Sequence, residues 1–116
     1  MSRAPEALKP QWFQILLALA DRELHGTGIM EEVLERTDGQ MKLWPGTLYG
    51  SLHEMHQAGL LRETEVPEGA APEGGRPRFY ALTAEGRRTL RAEVRRLAGF
   101  IRAARAKHVV DDLEPI

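Results

Sequence analysis

The chain of 116 residues has no cysteine, no long apolar run and almost no net charge. The absence of cysteine excludes a disulfide framework, a thiolate zinc site and a cysteine nucleophile, and it favours an intracellular location. No apolar run approaches the roughly 18–20 residues of a membrane-spanning helix. The first residues also lack the basic-then-apolar order of a signal peptide. The sequence therefore predicts a cytoplasmic protein with no membrane contact.

The net charge of −1 argues against a polyanionic partner, but the charge is distributed unevenly along the chain. Residues 1–75 carry 6 Lys and Arg against 12 Asp and Glu, residues 76–108 carry 10 against 2, and residues 109–116 carry none against 3. Such asymmetry is typical of contact with nucleic acid or a membrane. A long solvated helix rich in arginine gives the same pattern, so charge alone does not distinguish such a helix from a binding surface.

Three helices are predicted in the first half of the chain. Apolar residues recur at helical intervals over residues 8–21, 28–37 and 45–58. Proline is tolerated in the first turn of a helix, so Pro10 and Pro45 mark the starts of the first and third helices. Two glycines and Thr27 predict a break and a cap before the second helix. Gly59 is expected to end the third.

After Gly59 the pattern changes from helical to extended. Residues 60–66 and 76–82 are predicted to form the two strands of a hairpin, and residues 67–75, rich in glycine and proline, its tip. Thr83 is a suitable N-cap for a last helix, in which Glu85 places negative charge near the N-terminus. This helix is predicted to run to about His108.

The apolar residues of the last helix repeat every three and four positions, as in helices that pack along one another. They are Leu90, Val94, Leu97, Ile101, Ala104 and His108. About 25 residues make roughly 37 Å of helix, which a small three-helix core cannot cover. The first five of these residues are therefore predicted to form a homodimer interface.

The order of helices and strands predicts a winged helix-turn-helix, a mainly α fold with a small β-hairpin, followed by a long C-terminal dimerisation helix. We expect residues 1–83 to form a winged helix-turn-helix DNA-binding domain. Residues 84–110 are expected to form the dimerisation helix, and residues 111–116 an acidic tail.

Four motifs in order carry a resemblance to a known family. They are Leu24-His25-Gly26, Pro45-Gly-Thr-Leu-Tyr49, Gly59-Leu-Leu61 and the run Gly-Arg-Pro-Arg-Phe-Tyr-Ala-Leu-Thr-Ala-Glu-Gly at residues 75–86. With them the chain resembles the PadR family of transcriptional regulators over residues 11–97. The resemblance implies a dimeric repressor whose operator binding is relieved by small molecules, and the short last helix indicates the branch of the family with a single C-terminal helix.

The resemblance also implies where an effector binds. In family members the cavity often lies between the subunits, close to the first and last helices. Trp12, Phe13, Leu97 and Phe100 are then the candidate lining residues for a small hydrophobic or aromatic effector. The other interpretation of these four residues is core packing.

In a helix-turn-helix, the N-terminal end of the recognition helix enters the major groove, and the third helix here is in that position. The hydroxyl groups of Thr47, Tyr49 and Ser51 can reach phosphates or base edges, and Gly46 and Gly50 let the backbone approach the duplex. Alternatively, Tyr49 packs on the wing and Thr47 only caps the helix.

Basic residues outside this helix are candidates for phosphate contacts. Lys42 precedes it, and Arg76 and Arg78 leave the second wing strand on the same face. The alternative for Lys42 is that it is a surface lysine without a binding role. The alternative for the two arginines is that they pair across the hairpin with Glu63 or Glu65. Most arginines of the last helix are expected to form a solvated face that pairs with the acidic first half of the chain.

Nothing in the sequence indicates catalysis, a metal or another cofactor. His53 and His56 are three residues apart, not four as in the HExxH zinc motif, and no third ligand accompanies them. No serine-histidine-carboxylate order or glycine-rich phosphate loop is present, so an enzyme is not predicted. The prediction is a homodimeric, sequence-specific DNA-binding regulator. The alternative is a winged-helix protein-interaction module whose acidic front docks a basic partner, which the low basicity of the third helix favours.

Overall fold

A computed structural model of the chain describes residues 7–65 and 78–111 and contains, within them, four helices and three short strands. The elements are α1 (Pro10–Ala18), β1 (Leu24–His25), α2 (Gly26–Arg36), α3 (Pro45–Gln57), β2 (Leu61–Thr64), β3 (Phe79–Leu82) and α4 (Ala84–Ala106). This order confirms the predicted winged helix-turn-helix with a long C-terminal helix. The predicted wing tip, residues 67–75, and the tail after Asp111 lie outside the described residues.

Proline and glycine set helix boundaries where the sequence predicts them. Pro10 and Pro45 are the first residues of α1 and α3. After α3, Gly59 has a φ of 78° and the N–H of Leu60 donates to the carbonyl of Met55 at 2.9 Å. Glycine adopts this left-handed conformation without steric cost, so it ends the helix cleanly. The last helix ends at Ala106, earlier than predicted.

The cap of α2 is His25 and not Thr27. The Nδ1 atom of His25 accepts a hydrogen bond from the N–H of Gly28 at 3.0 Å, and its ring stacks on Phe79 with centroids 5.3 Å apart. Thr27 lies inside the helix and is exposed. The predicted cap of α4 is confirmed, since Thr83 Oγ1 accepts from a backbone N–H of the first turn at 3.0 Å.

The strands form one antiparallel sheet in the order β1-β3-β2. The predicted hairpin is β2 with β3, in which Leu61 lies opposite Leu82. Strand β1, with Leu24 opposite Tyr80, was not predicted, because two residues are too few to show alternation. Both hairpin strands are shorter than predicted, since β2 ends at Thr64 and β3 begins with the residue after Arg78.

The core lies between α1, α2 and α3 and is closed by the sheet and α4. Its fully buried side chains are Ile15, Leu16, Ile29, Val33, Leu48, Leu52, Met55 and Leu61. Leu90 of α4 belongs to the same core and is 6% exposed. This corrects the prediction for Leu90, whose side chain packs within one chain and not on an open dimer seam.

Gly86 brings the start of α4 against the backbone of the hairpin. A Cβ atom at this position would collide with the carbonyl group of Leu60. The N–H of Thr83 donates to the same carbonyl at 3.2 Å. Because the helix and this backbone touch, the first turns of α4 are held close enough to place Leu90 in the core.

Gly86→Ala is expected to lower the free energy of unfolding by about 1–3 kcal/mol, because the added methyl group must push α4 away from the hairpin. Gly99→Ala is the matched control in the same helix, since a Cβ there meets only the end of the Arg102 side chain at 3.7 Å. It should raise the stability by about 0.5–1 kcal/mol through helix propensity. Urea unfolding at one protein concentration measures both variants. Equal effects of the two substitutions would contradict the close approach.

Glu93 is a buried carboxylate on α4, with 6% exposure. Its oxygens accept hydrogen bonds from Nε and Nη2 of Arg96, both at 2.7 Å, and from the backbone N–H of Leu8. The hydrogen bonds from Arg96 lower the pKa of Glu93 more than burial raises it. The carboxylate is therefore held mainly by Arg96 of its own helix, and the weaker interaction with the backbone of Leu8 links it to the segment before α1.

A carboxyl group whose pKa is lower in the folded state stabilises the fold above its unfolded pKa, about 4.3 for Glu, and the stabilisation is lost as the pH falls through the folded pKa. Glu93→Gln is therefore expected to lower the unfolding free energy at neutral pH by about 1–2 kcal/mol and to flatten its decline in acid. Denaturant unfolding over a pH series measures this.

The control is Glu85→Gln, whose carboxylate pairs with Arg88 on the exposed side of the same helix at 2.6 Å. Exposed pairs contribute little, so a change below about 0.5 kcal/mol is expected. A Glu93→Gln variant with the pH profile of the wild type would count against the anchoring role.

Candidate nucleic-acid interface

The outer face of α3 is a stripe of small and polar residues. Gly46, Gly50, His53 and Gln57 are separated by helical intervals, share one side of the helix and are all exposed. Glutamine amides and imidazoles form hydrogen bonds to base edges, and glutamine suits adenine. His53 and Gln57 were not among the predicted contacts, although the helical period that identifies the buried side also identifies this stripe.

The first two turns of α3 have an accessible backbone. A Cβ atom at Gly46 or Gly50 would meet no heavy atom within 4 Å. The residue before the helix is Trp44, which forms no side-chain cap because indole has no acceptor. This end of α3 therefore allows close approach of a duplex and presents backbone N–H groups to a phosphate.

Thr47 and Tyr49 lie at the two edges of the outer stripe, and both are exposed. The hydroxyl group of Tyr49 lies against Gly26 at the start of α2, where a Cβ atom would collide with it. About half of the Tyr49 side chain, 48%, remains exposed. Tyr49 thus rests on α2 and still presents surface to a ligand of α3.

Ser51 is on the buried side of α3 and is 6% exposed. The prediction that it belongs to the outer face is wrong. Ser51 follows Leu48 by three residues and precedes Met55 by four, so it shares their side of the helix. Its small side chain fits there, and its hydroxyl group is not presented to a duplex.

Lys42 and Trp44 form the exposed approach to α3. The Nζ atom of Lys42 lies 4.4 Å from the centroid of the indole ring. Leu43, between them, is buried and fixes the backbone. Lys42, a predicted phosphate contact, therefore lies beside the start of α3.

Arg78 lies at the base of the wing and its side chain is 70% exposed. Its Nη1 atom is 3.5 Å from Oε1 of Glu63, which is the cross-strand pair that the sequence left as an alternative. A pair this exposed contributes little and leaves the guanidinium open to a phosphate. Beside it, burial and then the charge of Glu63 raise the pKa of Tyr80. Arg76 lies outside the described residues.

The arginines of α4 are paired differently from the prediction. Arg88 and Arg96 form ion pairs with Glu85 and Glu93 of the same helix, at 2.6 and 2.7 Å. For these two arginines the predicted pairing with the acidic first half is wrong, because a partner three residues away is already in reach. Arg87 does meet the first half, through a hydrogen bond to the carbonyl of Ala20 at 2.9 Å.

The predicted effector residues lie on α1 and α4, which pack against each other. Trp12 and Phe13 are partly buried and pack against the core. Leu97 is partly buried, whereas Phe100 is 58% exposed with the Arg96 guanidinium 5.1 Å from its centroid. Trp12 and Phe13 thus form an apolar wall on α1, and Phe100 is an exposed aromatic ring on α4.

Among residues 7–65 and 78–111, no three His, Cys, Asp or Glu side chains lie close enough to hold a metal ion. His53 and His56 are both exposed on α3. In the same ranges, no helix has both the length and the apolar character needed to cross a bilayer.

The fold and the open face of α3 define a winged helix-turn-helix protein. A family model described as the transcriptional regulator PadR-like family matches residues 15–92. The chain therefore belongs to the PadR-like family, and it is a transcriptional regulator and not an enzyme.

Two relatives illustrate the similarity in sequence. The transcriptional regulator Rv3488 of Mycobacterium tuberculosis is 34% identical over 88 residues, which are 76% of this chain and 76% of that protein. An uncharacterised 37.1 kDa protein in transposon TN4556 of Streptomyces fradiae is 38% identical over 84 residues. That match covers 72% of this chain but only 22% of the Streptomyces protein.

Solved structures show the same fold. A PadR family transcription regulator from Clostridium difficile R20291 has a TM-score of 0.71 and 24% identity, over 84% of this chain and 97% of that chain. Bacillus subtilis PadR in complex with operator DNA has a TM-score of 0.60 and 20% identity, over 72% of this chain and 45% of that chain. These similarities confirm the predicted fold class.

Proposed function

We propose that the chain is a homodimeric, sequence-specific DNA-binding repressor that acts in the cytoplasm and leaves its operator when a small hydrophobic or aromatic effector binds. The observation that carries DNA binding is the open outer stripe of α3, with Lys42 before it and Arg78 beside it. The operator complex of the Bacillus subtilis relative supports the same kind of partner.

The two parts of this surface have different tasks. Lys42, Arg78 and the backbone N–H groups of the first turn of α3 contact phosphates and fix the register. His53 and Gln57 face the base edges. In a dimer, two such helices enter successive major grooves about 34 Å apart, so the operator is close to palindromic.

Binding to the promoter region of the gene for this protein is expected to weaken steeply as salt increases, because phosphate contacts release counterions. Arg78→Ala should reduce the affinity for the duplex roughly tenfold. It should also lower the salt slope, the steepness with which the logarithm of the binding constant falls with the logarithm of the salt concentration, by about one for each copy of the arginine. Arg102→Ala, an exposed arginine far along α4, is the matched control and should bind as the wild type does. Fluorescence anisotropy with a labelled duplex measures both. If neither variant lost affinity for the duplex, or if both lost it equally, the proposed phosphate contact of Arg78 at the base of the wing would be contradicted.

The second half of α4 supports a homodimer. Val94 and Ile101 are 45% and 36% exposed, and they alternate with the partly buried Leu97 and Ala104 at heptad intervals. One chain leaves Val94 and Ile101 of this apolar row exposed. A second copy packed along the same row would bury it, with the two copies of α4 side by side.

Ile101→Glu is expected to convert the dimer to a monomer, because a carboxylate in an apolar helix interface is strongly unfavourable. Ala103→Glu is the control, since Ala103 is also exposed but points away from the row. Light scattering after size exclusion separates the mass of one chain from that of two. A dimer that persists in Ile101→Glu would contradict the interface.

The effector site is proposed between the two copies, where α1 and α4 meet. Trp12, Phe13, Leu97 and Phe100 supply apolar and aromatic walls, which are typical of small-molecule sites. An effector bound there touches the dimer row directly. It can therefore change the spacing of the two recognition helices without touching α3.

A second candidate is a protein-interaction module. It is favoured by the composition of α3, which contains no Lys or Arg and has Glu54 on its exposed side. In that case the protein would bind a basic protein partner and would show no affinity for any duplex at low salt. The DNA-binding experiment above separates the two functions.

A further inference from the structure

Trp44 is the most exposed aromatic side chain of the chain, with 62% of its surface open. It stands directly before α3, at the end of the helix that is proposed to enter the major groove. Tryptophan is normally well buried, and an exposed indole at a binding surface is typical of a contact residue. The proposed phosphate contacts and base contacts of α3 leave this side chain without a role.

The backbone presents Trp44 firmly. Leu43 on one side and Leu48 on the other are buried, with 6% and 0% exposure. Pro45 restricts the preceding residue to an extended conformation, and Trp44 has φ −81° and ψ 151°. The backbone that carries the indole is therefore held in one conformation, and little backbone entropy is lost when the side chain binds.

The surroundings of the indole identify its partner by chemistry. Lys42 places an ammonium group 4.4 Å from the ring centroid. On the helical side, Gly46 and Gly50 have no side chain and no neighbour within 4 Å of a Cβ position. An apolar plate with a cation over one of its faces and open backbone next to it matches a base edge that carries a methyl group close to a phosphate. In the major groove that methyl group belongs to thymine.

We propose that Trp44 packs against the C5-methyl group of one thymine in each half-site, with the Lys42 ammonium group on an adjacent phosphate. This inference rests on the proposed DNA-binding function. It makes Trp44 a specificity-determining residue, because the apolar indole surface distinguishes thymine from bases that lack the methyl group.

The test begins with the duplex that wild-type protein selects from a random pool. Each thymine of this duplex is replaced in turn by uracil, which removes only the methyl group. At one symmetry-related pair of positions, the wild type is expected to lose about fourfold in affinity for each methyl group. Trp44→Ala should bind the unmodified duplex more weakly and show no further loss with uracil at that pair.

Two variants separate the methyl contact from charge and from stacking in general. Lys42→Gln removes the ammonium group and should lower the salt slope while it keeps the sensitivity to uracil. Trp44→Phe keeps an aromatic surface and should keep part of that sensitivity. The thermal unfolding of each variant is expected to match that of the wild type, since both side chains are exposed.

A spectroscopic experiment reports on the indole itself. The chain has two tryptophans, so Trp12→Phe leaves Trp44 as the only one. Acrylamide should quench its fluorescence strongly in the free protein and much less after the selected duplex is added. Weak quenching in the free protein would mean that protein already covers the indole, and the inference would be wrong.

The outcomes distinguish this inference from the proposed function. Salt-dependent binding that is the same in wild type and Trp44→Ala, or a uracil effect that persists in Trp44→Ala, would leave DNA binding intact and overturn the thymine contact. Absence of binding to any duplex by the wild type would overturn both. Loss of the uracil effect in Trp44→Ala alone is the result that we expect.

Discussion

The rotation of α3 about its own axis is fixed by Leu48, Leu52 and Met55, and the surface offered to a ligand depends on that rotation. These side chains are at most 1% exposed. Burial of each contributes roughly 1.5–3 kcal/mol, so a rotation that exposes all three costs a large part of the stability of a small domain. One residue of rotation, about 100°, would carry the outer stripe to the side of the domain.

An outer stripe without charge has a consequence for how a duplex is recognised. Positive charge binds DNA without regard to sequence, whereas hydrogen bonds and apolar contacts depend on the bases. The cations of this surface lie at its margins, on Lys42 and Arg78, and Glu54 on α3 is partly neutralised by Lys9 at 3.7 Å. In the proposed DNA complex, a chain with a net charge of −1 therefore depends on fit at α3 for its affinity more than a basic winged helix does.

Helix boundaries that depend on residues within one helical turn could be predicted from the sequence. Features that depend on contacts between residues far apart in the sequence could not. Pro45, Gly59 and Thr83 mark boundaries through their own backbone chemistry, and the structure agrees with each. The cap of α2 was assigned to the wrong residue, because the role of His25 depends on its position in β1, where it stacks on Phe79. That strand exists only because β3 pairs with it.

Within the candidate interface, residue type was a poorer guide than helical phase. Ser51 was placed outside because it is polar, although its spacing from Leu48 puts it inside, and Gln57 was overlooked although it continues the line of Gly46 and Gly50. Leu90 fits the heptad spacing of the seam, but the approach of Gly86 to the hairpin draws that turn of α4 into the core. Only the tertiary contact separates a seam residue from a core residue of the same spacing.

The helix α4 joins two surfaces that would otherwise be independent. Its first half packs in the winged-helix core through Gly86, Leu90 and Glu93, and its second half exposes Val94 and Ile101. The 23 residues form one unbroken helix of about 35 Å. A change of about 5° in the angle between two such helices moves the far end by about 3 Å, which is more than a hydrogen bond to a base edge tolerates. In the proposed dimer, an effector that alters this angle can therefore release DNA while each winged-helix domain keeps its internal structure.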